Sequence, residues 1–258
     1  MLAPRDDRPD AEARKATADT ENGPQLDPLP EDWDRALAIV AHPDDMEYGA
    51  AAAVARWTAA GKTVAYVLVT KGEAGISTMA PEECAPLRME EQRRSCAAVG
   101  VTDLSFLDHP DGLVEANLEL RADLAEAIRA HRPEVILSIN FRESFGLPGW
   151  NHADHRHVGV AVLDAVRDAA NPWLFGDRGR PWEGVRFAAF GGSPQATHWV
   201  DTTATHAAGM ASLAEHRAYL EHVDEAPGAT EDWLTQRAVD QGALFGVGHA
   251  TVFELVPL

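Results

Sequence analysis

The hydrophobic positions fall in short blocks separated by polar clusters. Ala36–Ala41 (ALAIVA) is continuously apolar and ends on a polar cluster, as a strand covered on both faces does. Tyr48–Ala60 is alanine-rich and stops at Gly61, which predicts a helix with a glycine C-cap. Thr63–Thr70 (TVAYVLVT) is β-branched and apolar and predicts a second strand. Together they have the length of a parallel strand–helix–strand unit, about thirty residues.

The alternation continues down the chain. Leu87–Val99 predicts a helix ended by Gly100, Leu104–Leu107 a short strand, Leu118–His131 a helix stopped by Pro133, and Val135–Ile139 a buried strand. A long loop, Phe141–His152, leads into a helix over Asp154–Ala169. Val185–Phe190, His198–Val200 and Ala250–Val256 then read as strands, and Thr205–Glu221 and Glu231–Gln241 as helices. The expected class is α/β: a Rossmann-like, doubly wound, mostly parallel sheet with helices on both faces. Residues 1–30 break the pattern. They are rich in Pro and Asp and poor in large apolar side chains, which predicts a flexible acidic arm ahead of a single domain over residues 31–258.

Composition narrows the partners. The 258 residues carry 41 Asp and Glu against 22 Lys and Arg, a formal charge of −19. That balance speaks against non-specific nucleic-acid binding and against docking on anionic lipid. It favours a neutral or weakly charged small-molecule substrate. No apolar run approaches the roughly 20 residues of a membrane span, and the first ten residues lack the apolar core of a secretory signal. Cys84 and Cys96 have neither redox nor zinc-finger spacing. A cytoplasmic chain with reduced thiols is expected.

Ligands of open α/β sheets bind beyond the carboxyl ends of the strands, and the polar clusters lie there. His42–Glu47, Gly72–Gly75, Asp108–Gly112 and Phe141–His155 each follow a predicted strand. His42-Pro43-Asp44-Asp45-Met46-Glu47 crowds one imidazole and three carboxylates onto the end of a buried strand, where like charges are costly without a counter-ion. A divalent cation removes that cost. His42 and Asp45, three residues apart, can converge on it, which leaves Asp44 free to address a water. Asn151-His152-Ala153-Asp154-His155 is a second cluster, with its two histidines at a helix start. Catalytic zinc takes three protein ligands and keeps one position open. His42, Asp45 and one of His152 or His155 complete such a set, and the residues alone leave that choice open. The first strand is not followed by a dinucleotide-binding glycine fingerprint, so no cofactor-binding residues are assigned beyond the metal ligands. No phosphate loop or nucleophile-elbow serine is present either.

These residues resemble the zinc-dependent N-acetylglucosaminyl deacetylases of the LmbE/PIG-L family, the type found in mycothiol and bacillithiol biosynthesis. The resemblance is carried by Ala41–Glu47 and His152–His155. It is supported by Thr70–Gly75, Arg88-Met89-Glu90-Glu91 and Phe106–Gly112, in family order across residues 36–170. It implies a Zn²⁺ cofactor held by His42, Asp45 and His155. Asp44 is implied as general base, protonated His152 as oxyanion stabiliser, Asp154 as the group orienting a neighbouring histidine, and Glu47 as structural support. Arg88 and Asp111 are similar to sugar-contacting positions. The implied activity is hydrolysis of the acetamide of an N-acetylglucosamine-type sugar to acetate and amine. The alternatives are an amidase for larger thiol–sugar conjugates, a metal-dependent phosphoesterase or a non-catalytic metal-binding module. Members of the family commonly self-associate, so the resemblance admits a homo-oligomer. The apolar side chains of the loop before the second cluster, Phe141, Phe145, Leu147 and Trp150, suggest a pocket wall or lid.

Overall fold

A computed structural model describes residues 26–146, 149–224 and 226–258. Its centre is an eight-stranded sheet built from β1 (Asp27–Pro28), β2 (Arg35–Val40), β3 (Thr63–Leu68), β4 (Asp103–Phe106), β5 (Val135–Ile139), β6 (Phe187–Gly191), β7 (His198–Asp201) and β8 (Ala250–Pro257). The spatial order is β1-β7-β8-β6-β5-β2-β3-β4. β8 runs antiparallel to β6 and β7, and the other pairs are parallel. The expected mostly parallel α/β sheet is therefore what the chain forms.

The helices cover both faces. They are α1 (Asp45–Gly49), α2 (Ala51–Ala59), α3 (Pro81–Ala98), α4 (Leu118–His131), α5 (Ala153–Ala170), α6 (His206–Leu213), α7 (Arg217–Val223) and α8 (Ala229–Phe245). β2 shows why its sequence does not alternate. Ala36, Ala38 and Val40 pack with Val54 and Trp57 of α2, while Leu37 and Ile39 pack with Leu120 and Leu124 of α4 and Val162 of α5. With both faces buried, every position from Ala36 to Val40 is apolar.

The chain moves from β2 outward through β3 and β4, then returns to place β5 on the other side of β2. That reversal is a topological switch point, and a crevice opens beyond the carboxyl ends of β2 and β5. The two predicted metal clusters follow these two strands.

Three local expectations are revised. Tyr48–Ala60 is not one helix. Ala50 (φ −155°) separates α1 from α2, where a Cβ on Gly49 would meet Ile139 Cγ2 at 2.8 Å. Thr205–Glu221 divides into α6 and α7 around the fully buried His216. α3 begins at Pro81, earlier than expected: Pro81 suits the first helical position, and the helix runs on through Pro86. Of the arm expected over residues 1–30, residues 1–25 lie outside the described ones. Residues 26–30 are docked: Asp27 N–H donates to Thr197 O (3.0 Å), Leu29 N–H to Trp199 O (2.9 Å), and Leu29 is buried.

Candidate active site

The first cluster is shaped by backbone geometry. Asp44 sits at φ 90°, a left-handed conformation that costs a non-glycine residue about 1–2 kcal/mol. Two interactions hold it there. Asp44 N–H donates to Gln92 Oε1 of α3 (3.0 Å), and Asp44 C=O accepts from Glu47 N–H (2.9 Å) to start α1. His42 N–H donates to Asp45 Oδ2 (2.8 Å), folding Asp45 back over the end of β2. Below, Glu47 accepts from Gln92, Ser95 and Ser212, with His216 Nε2 3.6 Å away, which ties the loop to the helices beneath it.

The second cluster opens α5. His152 is its N-cap and accepts the Asp154 N–H at Nδ1 (3.2 Å). His155, one turn later, points back to β2. His42 Nδ1 lies 3.2 Å from His155 Nε2, Asp45 Oδ1 lies 3.1 Å from His155 Nε2, and His42 Nδ1 lies 3.7 Å from Asp45 Oδ1. Ligands about 2.0–2.1 Å from a tetrahedral ion are about 3.3–3.4 Å apart. The three atoms thus fit one small divalent cation. His152 also offers a ring nitrogen within 4.8 Å of the ligand atoms of His42 and His155.

The partners behind the ligands set the tautomers. His42 Nε2 faces Asp111 Oδ1 (3.0 Å) and Asp154 Oδ2 (3.2 Å), so its N–H points away from Nδ1. Asn151 gives its amide protons to Asn140 O (2.8 Å) and Arg142 O (2.9 Å), leaving Oδ1 to accept from His155 Nδ1 (3.0 Å). Both rings therefore turn a bare nitrogen to the cation position, an arrangement typical of metal-binding histidines. Asp111 and Asp154 also accept backbone N–H groups, from Ala74 and from Gly112 and Val114. With His42 they form a hydrogen-bonded cradle, and a second ion there would have to displace these bonds. Asp154 is fully buried behind His42 and does not line the cavity. Its reach is to His42 more than to His152, whose Nδ1 lies 3.9 Å from Asp154 Oδ1. Asp111 does line the cavity, but its nearest polar side-chain partner is likewise His42.

Electrostatics separates the neighbouring aspartates. Burial raises the Asp45 carboxyl, but His155 and His42 more than reverse this and hold it far below the usual range. Asp44 is pushed up to about 6, chiefly by burial, against the pull of Arg88. Environments that push two acids apart suit them to different tasks: the Asp45 site favours the carboxylate, and the Asp44 site retains a proton more readily. A cation beside Asp44 would draw it back down. His42 is opposed by burial, yet Asp111, Asp154 and Asp45 lift it well above the ordinary imidazole range, so the pocket favours a positive charge where the ligands meet.

Arg88 is buried under the loop. Its guanidinium donates to Pro43 O (2.5 Å) and Gly72 O (3.2 Å), lies 3.2 Å from Asp44 Oδ2, and packs 4.2 Å from the Tyr219 ring centroid. Gly72 (φ 68°) and Gly75 make room for it, since a Cβ on either would overlap its Nη1. Arg88 borders the cavity, but its hydrogen-bonding groups are turned to the metal loop and not to an open sugar site.

A cavity of about 400 Å³ opens over these residues, within the roughly 300–1,000 Å³ of small-molecule sites. His42, Asp44, Asp45, His152 and His155 line its floor. His152 is half-exposed. Burial, then the His42 charge, lowers its pKa, and its Nδ1 is occupied by the Asp154 N–H. With Nδ1 accepting the Asp154 N–H, the ring proton of a neutral His152 sits on Nε2. In the preceding loop, Phe145 lines the cavity, Phe141 packs on Phe190, and Trp150 is exposed beside Arg156. Leu147 lies outside the described residues. Several lining residues were not singled out from the sequence: Tyr48, Tyr219, Trp233 and Arg237, with Gln92 behind them. Asn151 heads the second cluster, but its role depends on carbonyls it meets only after folding.

The fold and this floor define the class. The profile of the PIG-L family, GlcNAc-PI de-N-acetylase, matches residues 37–166. The chain is 33% identical over 143 residues to a diacetylchitobiose deacetylase of Thermococcus kodakarensis, which covers 55% of this chain and 52% of that enzyme's length. It is 30% identical over 239 residues to a 1D-myo-inositol 2-acetamido-2-deoxy-alpha-D-glucopyranoside deacetylase of Geodermatophilus obscurus, covering 80% of this chain and 76% of the relative. The fold is shared with N,N'-diacetylchitobiose deacetylase of Pyrococcus horikoshii, at a TM-score of 0.81 and 23% identity over 98% of this chain and 94% of the other. The chain belongs to the PIG-L family. It spans about half to three fifths of the length of the first relatives it matches. No described helix is long and apolar enough to cross a membrane.

Proposed function

We propose that the protein is a zinc-dependent hydrolase that cleaves the acetamide C–N bond of an N-acetylglucosamine-type sugar, releasing acetate and the free amine. The observation that carries the reading is the convergence of His42 Nδ1, Asp45 Oδ1 and His155 Nε2 within 3.7 Å of one another on the floor of a sugar-sized cavity. These three would hold the ion. When bound, zinc polarises the acetamide carbonyl and lowers the pKa of water at the site.

The remaining chemistry falls to the chain. Asp44, placed beside the ligands, takes the proton of the attacking water. It returns that proton to the nitrogen as the C–N bond breaks, so the amine leaves neutral and the acetyl carbon keeps the water oxygen. His152 Nε2–H donates to the oxyanion that develops on the former carbonyl. Asp154 and Asn151 position His42 and His155. A phosphoesterase would need a second ion or free cationic clamps on the floor; Arg88 is engaged with the loop, and a second ion at His42, Asp111 and Asp154 would have to displace their hydrogen bonds.

The test is amine release from N-acetylglucosamine derivatives, with zinc content measured on the same samples. Asp44→Asn is expected to lower turnover at least about 10²-fold while retaining one zinc per chain. Full activity in that variant overturns the assignment.

A further inference from the structure

Of the two arginines that line the cavity, one is not engaged. Arg88 is locked beneath the metal loop, whereas Arg237 of α8 stands on the wall. Among the described residues, no carboxylate lies within 4.0 Å of the Arg237 guanidinium, and it donates no hydrogen bond. Its position is well defined. Nη2 lies against Gly192, where a Cβ would stand 3.9 Å away, at the carboxyl end of β6. The guanidinium carbon lies 5.5 Å from the centroid of the Trp233 ring, one turn earlier on the same helix face. Trp233 itself lines the cavity and is 47% exposed.

A partly buried cation without a counter-ion costs free energy. Burial alone lowers the Arg237 pKa, and no neighbouring acid opposes it. The overall charge of −19 makes an unpaired arginine at this wall less expected, because acidic side chains are plentiful. An indole face beside a planar guanidinium suits a ring-bearing ligand with an anionic substituent. The cavity thus has two ends of different chemistry: the carboxylate- and imidazole-rich floor, and this cationic wall.

We propose that Trp233 and Arg237 form a subsite for the part of the substrate beyond the acetamido sugar, and that the group bound there carries a carboxylate or a phosphate. This rests on the deacetylase reading and departs from the expectation, drawn from total charge, of a neutral or weakly charged substrate. The reason is that a contact at one wall acts at a few ångströms, whereas net charge is screened beyond a Debye length of about 8 Å.

The test compares three acetamido-glucosides whose C1 substituents end in a carboxylate, a phosphate or a neutral hydroxyl, with wild type, Arg237→Gln and Arg237→Lys. The wild type is expected to favour one or both anionic compounds by about tenfold in kcat/KM, expressed in KM and weakened by salt. In R237Q the preference should collapse to within about twofold, and R237K should restore part of it. The two anionic arms tell carboxylate from phosphate. No preference in the wild type, or a preference that survives R237Q, overturns the subsite. If the wild type hydrolyses none of the three, the deacetylase reading falls. Calorimetric titration of the same compounds then decides the subsite alone: equal binding of all three overturns it, and anion-selective binding lost in R237Q supports it.

Discussion

Arg88 Nη2 and Asp44 Oδ2 lie 3.2 Å apart, and both side chains are buried. The pair joins α3 to the strained loop after β2, and the same guanidinium holds Pro43 O and Gly72 O. Removing one partner of a buried ion pair typically costs about 3–5 kcal/mol, because the other charge is left uncompensated. Arg88→Met is therefore expected to destabilise the fold by about 3 kcal/mol in denaturant titrations and to lower turnover at least tenfold. Gly75→Ala retains the charge but displaces the guanidinium, so it should lower turnover with a smaller loss of stability. Wild-type turnover in both variants would show that Asp44 does not depend on Arg88.

Asp154 is expected to act through His42. Asp154→Asn leaves a side chain of the same shape but weakens the charged bond to His42 Nε2 at 3.2 Å. Losing such a partner costs metal sites about 10–100-fold in affinity. Competition with a chelating indicator should show that weakening. Chelation of the wild type should lower its melting temperature, since an ion that binds only the folded state stabilises it. An unchanged zinc affinity in Asp154→Asn would remove Asp154 from the positioning role.

Glu31 ties the docked entry segment to α2. It accepts from Arg56 (3.0 and 3.1 Å) and from Trp57 Nε1 (2.6 Å). Burial raises its pKa, but Arg56 and Trp57 more than offset that and leave it below the ordinary 4.5. A lowered folded-state pKa contributes stability that is fully present above the unfolded value and lost as pH falls through the folded one. Glu31→Gln should thus cost about 1 kcal/mol at pH 7, allowing for its partial exposure. The gap from wild type should close below about pH 4.5. Parallel stability curves at pH 7 and pH 3 would contradict this.

Both thiols are expected to be silent in the native protein. Cys84 and Cys96 are buried and unpaired. Burial, followed by the Glu47 charge, pushes Cys96 up to about 12, and burial raises Cys84 as well. Alkylation needs the thiolate, so iodoacetamide at pH 8 should modify neither until the chain unfolds. Mass spectrometry then reads opening of the core. Rapid native labelling of either cysteine would contradict this packing.

Most of the layer architecture is legible in the chain because each strand–helix alternation is a local pattern. ALAIVA is apolar throughout and TVAYVLVT is apolar between its terminal threonines, as a sheet covered on both faces requires. Errors arise where tertiary contact overrides a local signal. The alanine-rich run breaks at Ala50 because Gly49 is pressed against β5 and β6. His216 interrupts the predicted helix over 205–221 because Glu47, far away in sequence, lies beside it.

The same division runs through the site. The sequence by itself marked the candidate ligand types and where they stand, since His42 and Asp45 directly follow β2 and His152 and His155 stand at the start of the helix that follows β5. It did not determine which nitrogen of each histidine is bare. That depends on Asp111, Asp154 and Asn151 finding partners across the switch point between β2 and β5. Nor did it mark Arg88 as the support of Asp44, or Trp233 and Arg237 as a cavity wall. Strand patterning is written in neighbouring residues. Tautomers, buried ion pairs and an arginine without a partner are settled only when distant segments pack and decide which polar atoms are satisfied.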